Sequence, residues 1–194
     1  MILLMKFSKI RPFSVLYFNV WMLISPPVWG SEQREAKATI QDFIDASYTL
    51  CLGEKTWPMT TPMTETSWLS GRLNAMVAAG LVEKKPQEKI FHWSLSHVGE
   101  KYFQPYGDFC YGRMVVDKII HYEKIAPDLV LIQYTYDITG VPAWAKNKYM
   151  HYAFSELDHL ISGIRTVRYQ ATIKTVAGGA SKIQDYPIPL DIDY

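Results

Sequence analysis

The sequence has almost no net charge and very little cysteine, and both shortages narrow the classes of protein that it can encode. Its 20 lysines and arginines face 19 aspartates and glutamates, a formal charge of +1 at pH 7. That balance excludes a strongly basic nucleic-acid-binding protein. The two cysteines do not form a CxxC motif, so the usual motif of a thiol-exchange enzyme is missing. The GxSxG, P-loop, GxGxxG, HExxH and EF-hand patterns are also missing, so no motif predicts a catalytic centre, a metal or another cofactor.

The composition that is present is that of a globular protein. Hydrophobic residues make up 48%, charged residues 20% and aromatic residues 14% of the chain. These values exclude a disordered tail, a collagen-like repeat and a coiled coil. A length of 194 residues predicts one domain or two small ones, with enough chain to bury a core.

The first thirty residues have the layout of a secretory signal peptide. An apolar run from Phe13 to Ile24 follows three cations, Lys6, Lys9 and Arg11. The run is shorter than the roughly 20 apolar residues of a membrane-spanning helix. Two prolines then end any helix, and Val28-Trp29-Gly30 places small residues around a cleavage site. We therefore expect residues 1–30 to be removed and the mature chain to be periplasmic or secreted. The alternative is an uncleaved membrane anchor.

Cleavage would change both the charge and the chemical surroundings of the chain. The three cations leave with the segment, so 17 cations face 19 anions and the formal charge becomes −2. Such a chain has no general electrostatic attraction to DNA or to anionic lipid. Export places Cys51 and Cys110 in an oxidising compartment, where a bridge would contribute roughly 4 kcal/mol in the chain-entropy model. Two buried free thiols are the alternative.

The region from residue 31 to residue 105 has mostly helical patterns. Apolar residues recur at helical spacing over residues 33–50 and again over residues 66–79. The stretch between them, residues 54–65, carries two prolines and four threonines, which predicts a loop or a short turn of helix. Two short strands are predicted next, at Leu81–Glu83 and Ile90–Leu95, around a polar turn.

Two short sequence steps give this region a family resemblance. The helix ends in Ala78-Ala79-Gly80-Leu81-Val82, and the second strand runs into Leu95-Ser96-His97-Val98-Gly99, where Ser96 is a fitting N-cap. In this order of elements, residues 33–105 resemble the winged-helix module of bacterial regulators. The resemblance implies a winged-helix scaffold in which the helix at residues 66–79 would be the one that reads DNA.

The helix that would read DNA has few side chains that could contact it. It offers only Arg72 and Asn74, whereas a reading helix presents several cations and amides to base edges and phosphates. The other nearby cations lie in the predicted turn, where a solvated hairpin tip is the simpler interpretation: Lys84, Lys85 and Lys89. We therefore do not expect nucleic acid as a partner.

The region from residue 106 to residue 194 has mostly strand patterns. In order they predict a bulged strand at Met114–Ile125, a strand at Leu129–Ile138, a helix at residues 143–162, a strand at Ile164–Val176 and a last strand at Ser181–Tyr186. This order is β-hairpin, helix, β-hairpin, which predicts a small antiparallel sheet with one packed helix. The predicted fold class is therefore α+β, with a winged-helix-like helical part before the sheet.

The densest aromatic cluster comprises Tyr134, Tyr136 and Trp144. Alternate tyrosines share one face of a strand, and a helix start carrying Trp144 could fold over them. As a surface, the three rings would form a platform for a peptide or a glycan. As structure, they would fill the core, which the apolar character of the strand favours.

Histidine and carboxylate spacing offers one further site. Glu156 and His159 lie three apart, and His151 lies eight before His159, so one helix face could present all three to a metal. Exposed polar residues on the outward face of a helix are the simpler interpretation, and we expect no metal.

Taken together, these patterns predict an exported, non-catalytic binding or accessory protein of the bacterial envelope. Its partner would be a protein or a small ligand, and no stable membrane span would remain after cleavage. A membrane-anchored winged-helix regulator and an envelope enzyme with an unrecognised site are the alternatives.

Overall fold

A computed structural model describes residues 28–175 and 181–190. The predicted signal peptide lies outside the described residues except for its last three, which begin the first helix. The elements in chain order are α1 (Val28–Ser47), β1 (Met59–Pro62), α2 (Trp68–Ala78), β2 (Val82–Gln87), β3 (Ile90–Leu95), α3 (His97–Phe103), β4 (Arg113–Ala126), β5 (Leu129–Thr139), a 3-10 helix (Ala143–Lys146), α4 (Lys148–Ala153), α5 (Ser155–Ser162), β6 (Arg168–Thr175), β7 (Ser181–Ile183) and β8 (Ile188–Pro189). The fold class is α+β, as the sequence predicted.

The first sheet has three antiparallel strands in the order β1-β3-β2. Strand β1 corrects the prediction of a loop or helical turn at residues 54–65. Its threonines favour extended backbone, and Thr61 is buried where its hydroxyl accepts a hydrogen bond from the Trp93 indole at 3.0 Å. The pairing with β3 that holds this strand is a tertiary contact, which a local pattern does not reveal.

Helix α2, the β2–β3 hairpin and α3 match the predicted order of elements. Gly80 takes the left-handed conformation (φ 75°) after α2, and the Leu81 amide donates back to the Met76 carbonyl at 2.9 Å, as expected for a helix stop. The Ser96 hydroxyl caps α3 by accepting from the Gly99 amide at 2.9 Å. The winged-helix resemblance itself stays a prediction.

The second sheet has the antiparallel order β4-β5-β6-β7, with β8 also paired to β6. The register of β4 against β5 shifts three times, which confirms a bulged strand. Strand β6 begins at Arg168, later than the predicted Ile164, because residues before it form the turn that follows α5. In that turn Arg165 has a positive φ of 61°, and its guanidinium pairs with Asp137.

The single helix predicted at residues 143–162 is wrong. The chain instead makes a 3-10 turn, then α4, then α5, with breaks at Asn147 and Phe154. The Asn147 carboxamide oxygen accepts from the Tyr149 amide at 2.9 Å, which starts a new helix rather than continuing the old one. Phe154 has non-helical backbone angles (φ −128°, ψ 87°), and its ring is buried in the core.

Helix α1 packs across the second sheet, with Ile40 and Ile44 buried. It ends at Ser47, three residues before the predicted end. The Gln41 side chain pairs with the outer edge of β4, since it donates to the Met114 carbonyl at 3.1 Å and accepts from the Val116 amide at 2.9 Å. One hydrophobic core therefore includes residues from both sides of the predicted boundary at residue 105.

Candidate functional site

The three aromatic residues that the sequence singled out do not form an accessible surface. Tyr134, Tyr136 and Trp144 are 2%, 1% and 5% exposed. The Tyr134 ring stacks on Tyr169 at 5.9 Å, and the Tyr136 hydroxyl donates to the Leu160 carbonyl at 2.7 Å. Burial raises the pKa of both tyrosine phenols above the ordinary value. The platform interpretation is therefore corrected: these rings belong to the core, the alternative that the strand pattern favoured.

Cys51 and Cys110 are joined by a disulfide with their Cα atoms 3.9 Å apart. The backbone on both sides of the bridge is paired in antiparallel fashion. The Leu52 amide donates to the Phe109 carbonyl at 3.1 Å, and the Tyr111 amide donates to the Leu50 carbonyl at 2.8 Å. The bridge thus fastens the segment after α1 to the segment that leads into β4.

An open groove lies between α2 and α4 and has a volume of about 520 Å³. Its lining residues are Trp68, Gly71, Arg72, Asn74, Ala75, Ala78, Tyr149, Tyr152 and Ala153. The two helices are fastened together at one end, where the Asn147 carboxamide donates to the Ala78 carbonyl at 3.1 Å. The groove is therefore part of the packed fold and not a gap between loose segments.

Aromatic rings form the walls of this groove and small residues form its floor. Trp68 is 70% exposed, Tyr149 is 50% exposed and Tyr152 is 88% exposed. Gly71, Ala75 and Ala78 follow Trp68 on one face of α2, and they leave the floor open because they have little or no side chain. Single exposed apolar residues are common on protein surfaces, but three large rings around one groove are typical of an interaction site.

Arg72 holds the wall of the groove in place. Its Cζ lies 5.1 Å from the centre of the Trp68 ring and 4.2 Å from the centre of the Phe154 ring. Its guanidinium also pairs with the Glu54 carboxylate at 3.1 Å and donates to the Leu52 carbonyl at 2.9 Å. Burial raises the pKa of the Glu54 carboxyl, and the charge of Arg72 opposes that rise. Four groups thus contact one guanidinium, and the Trp68 ring is one of them.

Two lysines stand at the rim of the groove. The Lys84 ammonium donates to the Asn74 carboxamide oxygen at 3.2 Å and lies 3.8 Å from the centre of the Phe91 ring. The Lys148 ammonium lies 5.1 Å from the centre of the Tyr149 ring. Neither ammonium has a carboxylate partner within the part of the chain that the structure describes. The rim therefore carries positive charge that the protein does not neutralise locally.

A second cavity, of about 590 Å³, lies beside the disulfide. Its charged residues are Asp45 and Arg113, which form a two-pronged ion pair with each other. The hydrogen bond from Arg113 holds the pKa of the Asp45 carboxyl below its usual value. Because each charge already has its partner, a polar ligand would have to break this pair to use either group. Contact with the exposed aromatic rings of the groove between α2 and α4 breaks no ion pair.

The structure assigns other partners to the residues considered for metal or DNA. The His151 Nδ1 lies 2.7 Å from the Asp158 carboxylate. Within residues 28–175 and 181–190, no group of three or more His, Cys, Asp and Glu is placed to hold a metal ion. Lys85 of the hairpin pairs with Glu83 at 3.1 Å.

Comparisons of the chain with protein-family models, with curated proteins and with solved structures find no match. None of the helices in the described ranges has the length and apolar character needed to cross a membrane. The disulfide and this finding are compatible with an extracellular location.

Sequence reasoning missed the groove because its residues come from two helices far apart in the chain. A local signal was nonetheless present on α2, where Trp68, Gly71, Ala75 and Ala78 recur at helical spacing, with Ala75 buried and the other three exposed. On α4, Tyr149 and Tyr152 lie three residues apart, which places both rings on one side of the helix. An exposed aromatic beside a stripe of small residues is the pattern that would have identified this surface.

Proposed function

We propose that this chain is an exported, non-catalytic binding module of the bacterial envelope, and that the groove between α2 and α4 is its ligand surface. The observation that carries the proposal is the convergence of Trp68, Tyr149 and Tyr152 on one groove with a floor of small residues. Binding would remove apolar ring surface from water, which favours association by about 25 cal/mol for each Å² buried.

The walls of the groove suit recognition because tryptophan and tyrosine give large contact area at a small cost in conformational entropy. Both residue types are enriched among the few side chains that dominate the binding energy of interfaces. Trp68 also has a partner before any ligand arrives, since the Arg72 guanidinium lies over its ring with Cζ 5.1 Å from the ring centre. A ligand would therefore meet a preformed wall, which lowers the ordering cost of binding.

The position of α2 supports a binding module more than a DNA-reading regulator. A reading helix presents its cations to the phosphates and base edges of the major groove. Here the one cation of the helix, Arg72, is engaged by Glu54 and two aromatic rings. The exposed face of α2 instead carries Trp68 and the small residues that face α4.

Export is the second part of the proposal, and the disulfide supports it because such bridges form and persist in oxidising compartments. Cell fractionation with N-terminal sequencing tests this part. We expect a periplasmic or secreted chain that starts at Ser31. A full-length chain of 22.3 kDa in the cytoplasm would contradict it.

Site-specific photo-cross-linking in the native cells tests the ligand surface. Benzoylphenylalanine replaces either Tyr152, at the groove, or Tyr106, a control that is 73% exposed and lies at the second cavity. We expect a discrete adduct from position 152 and none from position 106. Equal adducts from both positions, or adducts from position 106 alone, would show that the groove is not the ligand surface.

A further inference from the structure

The shape and charge of the groove also indicate the class of its ligand. We propose that it takes an acidic, proline-containing peptide segment of a protein partner, bound in the extended polyproline II conformation. This inference rests on the proposed function, since it specifies the occupant of the same groove.

The charge at the groove selects for an anionic ligand. Among the described residues that line it, none is acidic, and the charge of Arg72 is balanced by Glu54 behind the wall. Among the described residues, no carboxylate pairs with the ammonium groups of Lys84 and Lys148 at the rim. An acidic residue on each side of the bound peptide segment would supply those carboxylate partners. This attraction is local to the rim, because the predicted mature chain of this protein is negative overall.

The backbone of the groove selects for a ligand that needs no strand partner. Both walls are α-helices and neither presents the edge of a strand, so an incoming peptide finds no sheet to extend. A polyproline II segment has no internal hydrogen bonds and keeps its backbone solvated. Aromatic-lined grooves are the known partners of such segments, because proline rings pack against flat aromatic faces.

The length of the groove fits a short segment of this kind. Helix α2 has 11 residues and spans about 16 Å at the usual helical rise. A polyproline II segment rises about 3.1 Å per residue, so roughly five residues cover the same length. A volume of about 520 Å³ lies within the usual range of roughly 300–1,000 Å³ for ligand sites. The expected epitope is therefore about five residues long, with prolines at the centre and carboxylates at the ends.

One position in the groove allows it to be blocked without disturbing the fold. Gly71 lies on the exposed floor, and a Cβ added there meets no atom within 4 Å beyond its chain neighbours and the backbone of its own helix. A leucine at this position fills the floor and also improves the helix propensity of α2. Ala38→Leu, on the exposed side of α1, is the matched control because it adds a similar side chain to a helix outside the groove.

The experiment is selection of random octapeptides displayed on phage against the mature, disulfide-bonded chain. We expect enriched peptides that contain both proline and aspartate or glutamate. Their affinity, measured by fluorescence polarisation with synthetic peptides, should fall about tenfold or more in Gly71→Leu, as when a dominant interface contact is lost, and stay within about twofold in Ala38→Leu. Reversing the rim charge with Lys84→Glu and Lys148→Glu should weaken acidic peptides and reduce the salt dependence of binding.

Three outcomes would overturn the inference, and they separate it from the proposed function. Enriched peptides without acidic residues or without proline, with binding still lost in Gly71→Leu, would contradict the ligand class only. Binding of oligosaccharides and of no peptide, again lost in Gly71→Leu, would do the same. Peptides that bind Gly71→Leu as well as the parent chain would contradict both the ligand class and the groove.

Discussion

Removal of the disulfide should destabilise the fold by an amount that follows from its position in the chain. Cys51 and Cys110 are separated by 59 residues, and the bridge closes that stretch into a loop. In the chain-entropy model, closing a loop of this length lowers the conformational entropy of the unfolded state, which stabilises the fold by about 4 kcal/mol. We therefore expect the double substitution Cys51→Ser with Cys110→Ser to lower the free energy of unfolding by about 4 kcal/mol, a large share of the roughly 5–15 kcal/mol of a typical domain.

Urea titrations of the parent chain and of the double variant, each with and without dithiothreitol, measure this loss. The reduced parent chain should unfold at the same urea concentration as the variant. The variant should not respond to dithiothreitol, because it has no bridge to reduce. A decrease in the free energy of unfolding of less than about 1 kcal/mol would refute the bridge as a stabilising element. A parent chain whose unfolding midpoint does not change with dithiothreitol would refute it too.

Three further perturbations test the core and the surface. Trp144→Ala should lower the free energy of unfolding by roughly 3–5 kcal/mol in a denaturant titration, as for other buried large aromatics. An unchanged midpoint and slope would contradict the burial of this ring. Gly99→Ala should destabilise the chain by about 1–3 kcal/mol, because the added methyl group would overlap the Leu81 carbonyl oxygen. The control Gly71→Ala should stabilise α2 by up to about 1 kcal/mol. Equal effects of the two substitutions would contradict the close packing of α3 against Leu81. Burial raises the pKa of the Tyr134 phenol, so the protonated phenol contributes its full stability to the fold below the ordinary pKa of 10.0, and this contribution is lost as the pH rises above that value. A titration of the folded chain followed by ultraviolet absorbance tests this. Ionisation of all tyrosines near pH 10.0 would contradict the burial.

The elements that sequence patterns predicted well are those whose signals are local. Helix α2 has an apolar stripe and a glycine stop, and β6 alternates apolar and polar residues, so each carries its own periodicity. The N-cap at Ser96 is local for the same reason. The bulge in β4 was also visible, because its alternation is interrupted within the strand.

The elements that sequence patterns missed depend on distant partners. Strand β1 is held by its pairing with β3, some thirty residues later, and by the hydrogen bond between Thr61 and Trp93. The helix predicted at residues 143–162 breaks where Asn147 caps a new helix and where Phe154 turns into the core. In both cases tertiary contacts outweigh local propensity.

The candidate site was missed because sequence patterns singled out a different set of aromatics, which those patterns correctly favoured as core. Tyr134 and Tyr136 lie close together in a strand and drew attention, although they share the face of this strand that is buried against the core. Trp68 and Tyr152 are far apart in the chain and meet only because α4 packs beside α2. The proposed ligand surface is therefore built from isolated aromatics on two helices and not from the densest aromatic cluster.

The most direct test of the groove as the ligand surface combines its blockage with cross-linking. Benzoylphenylalanine is placed at position 152 in the parent chain, in Gly71→Leu and in Ala38→Leu, and adducts are compared in the native cells at equal amounts of folded protein. We expect the adduct to disappear in Gly71→Leu, where leucine fills the open floor, and to persist in Ala38→Leu. An adduct of undiminished yield in Gly71→Leu would show that the ligand does not occupy the groove.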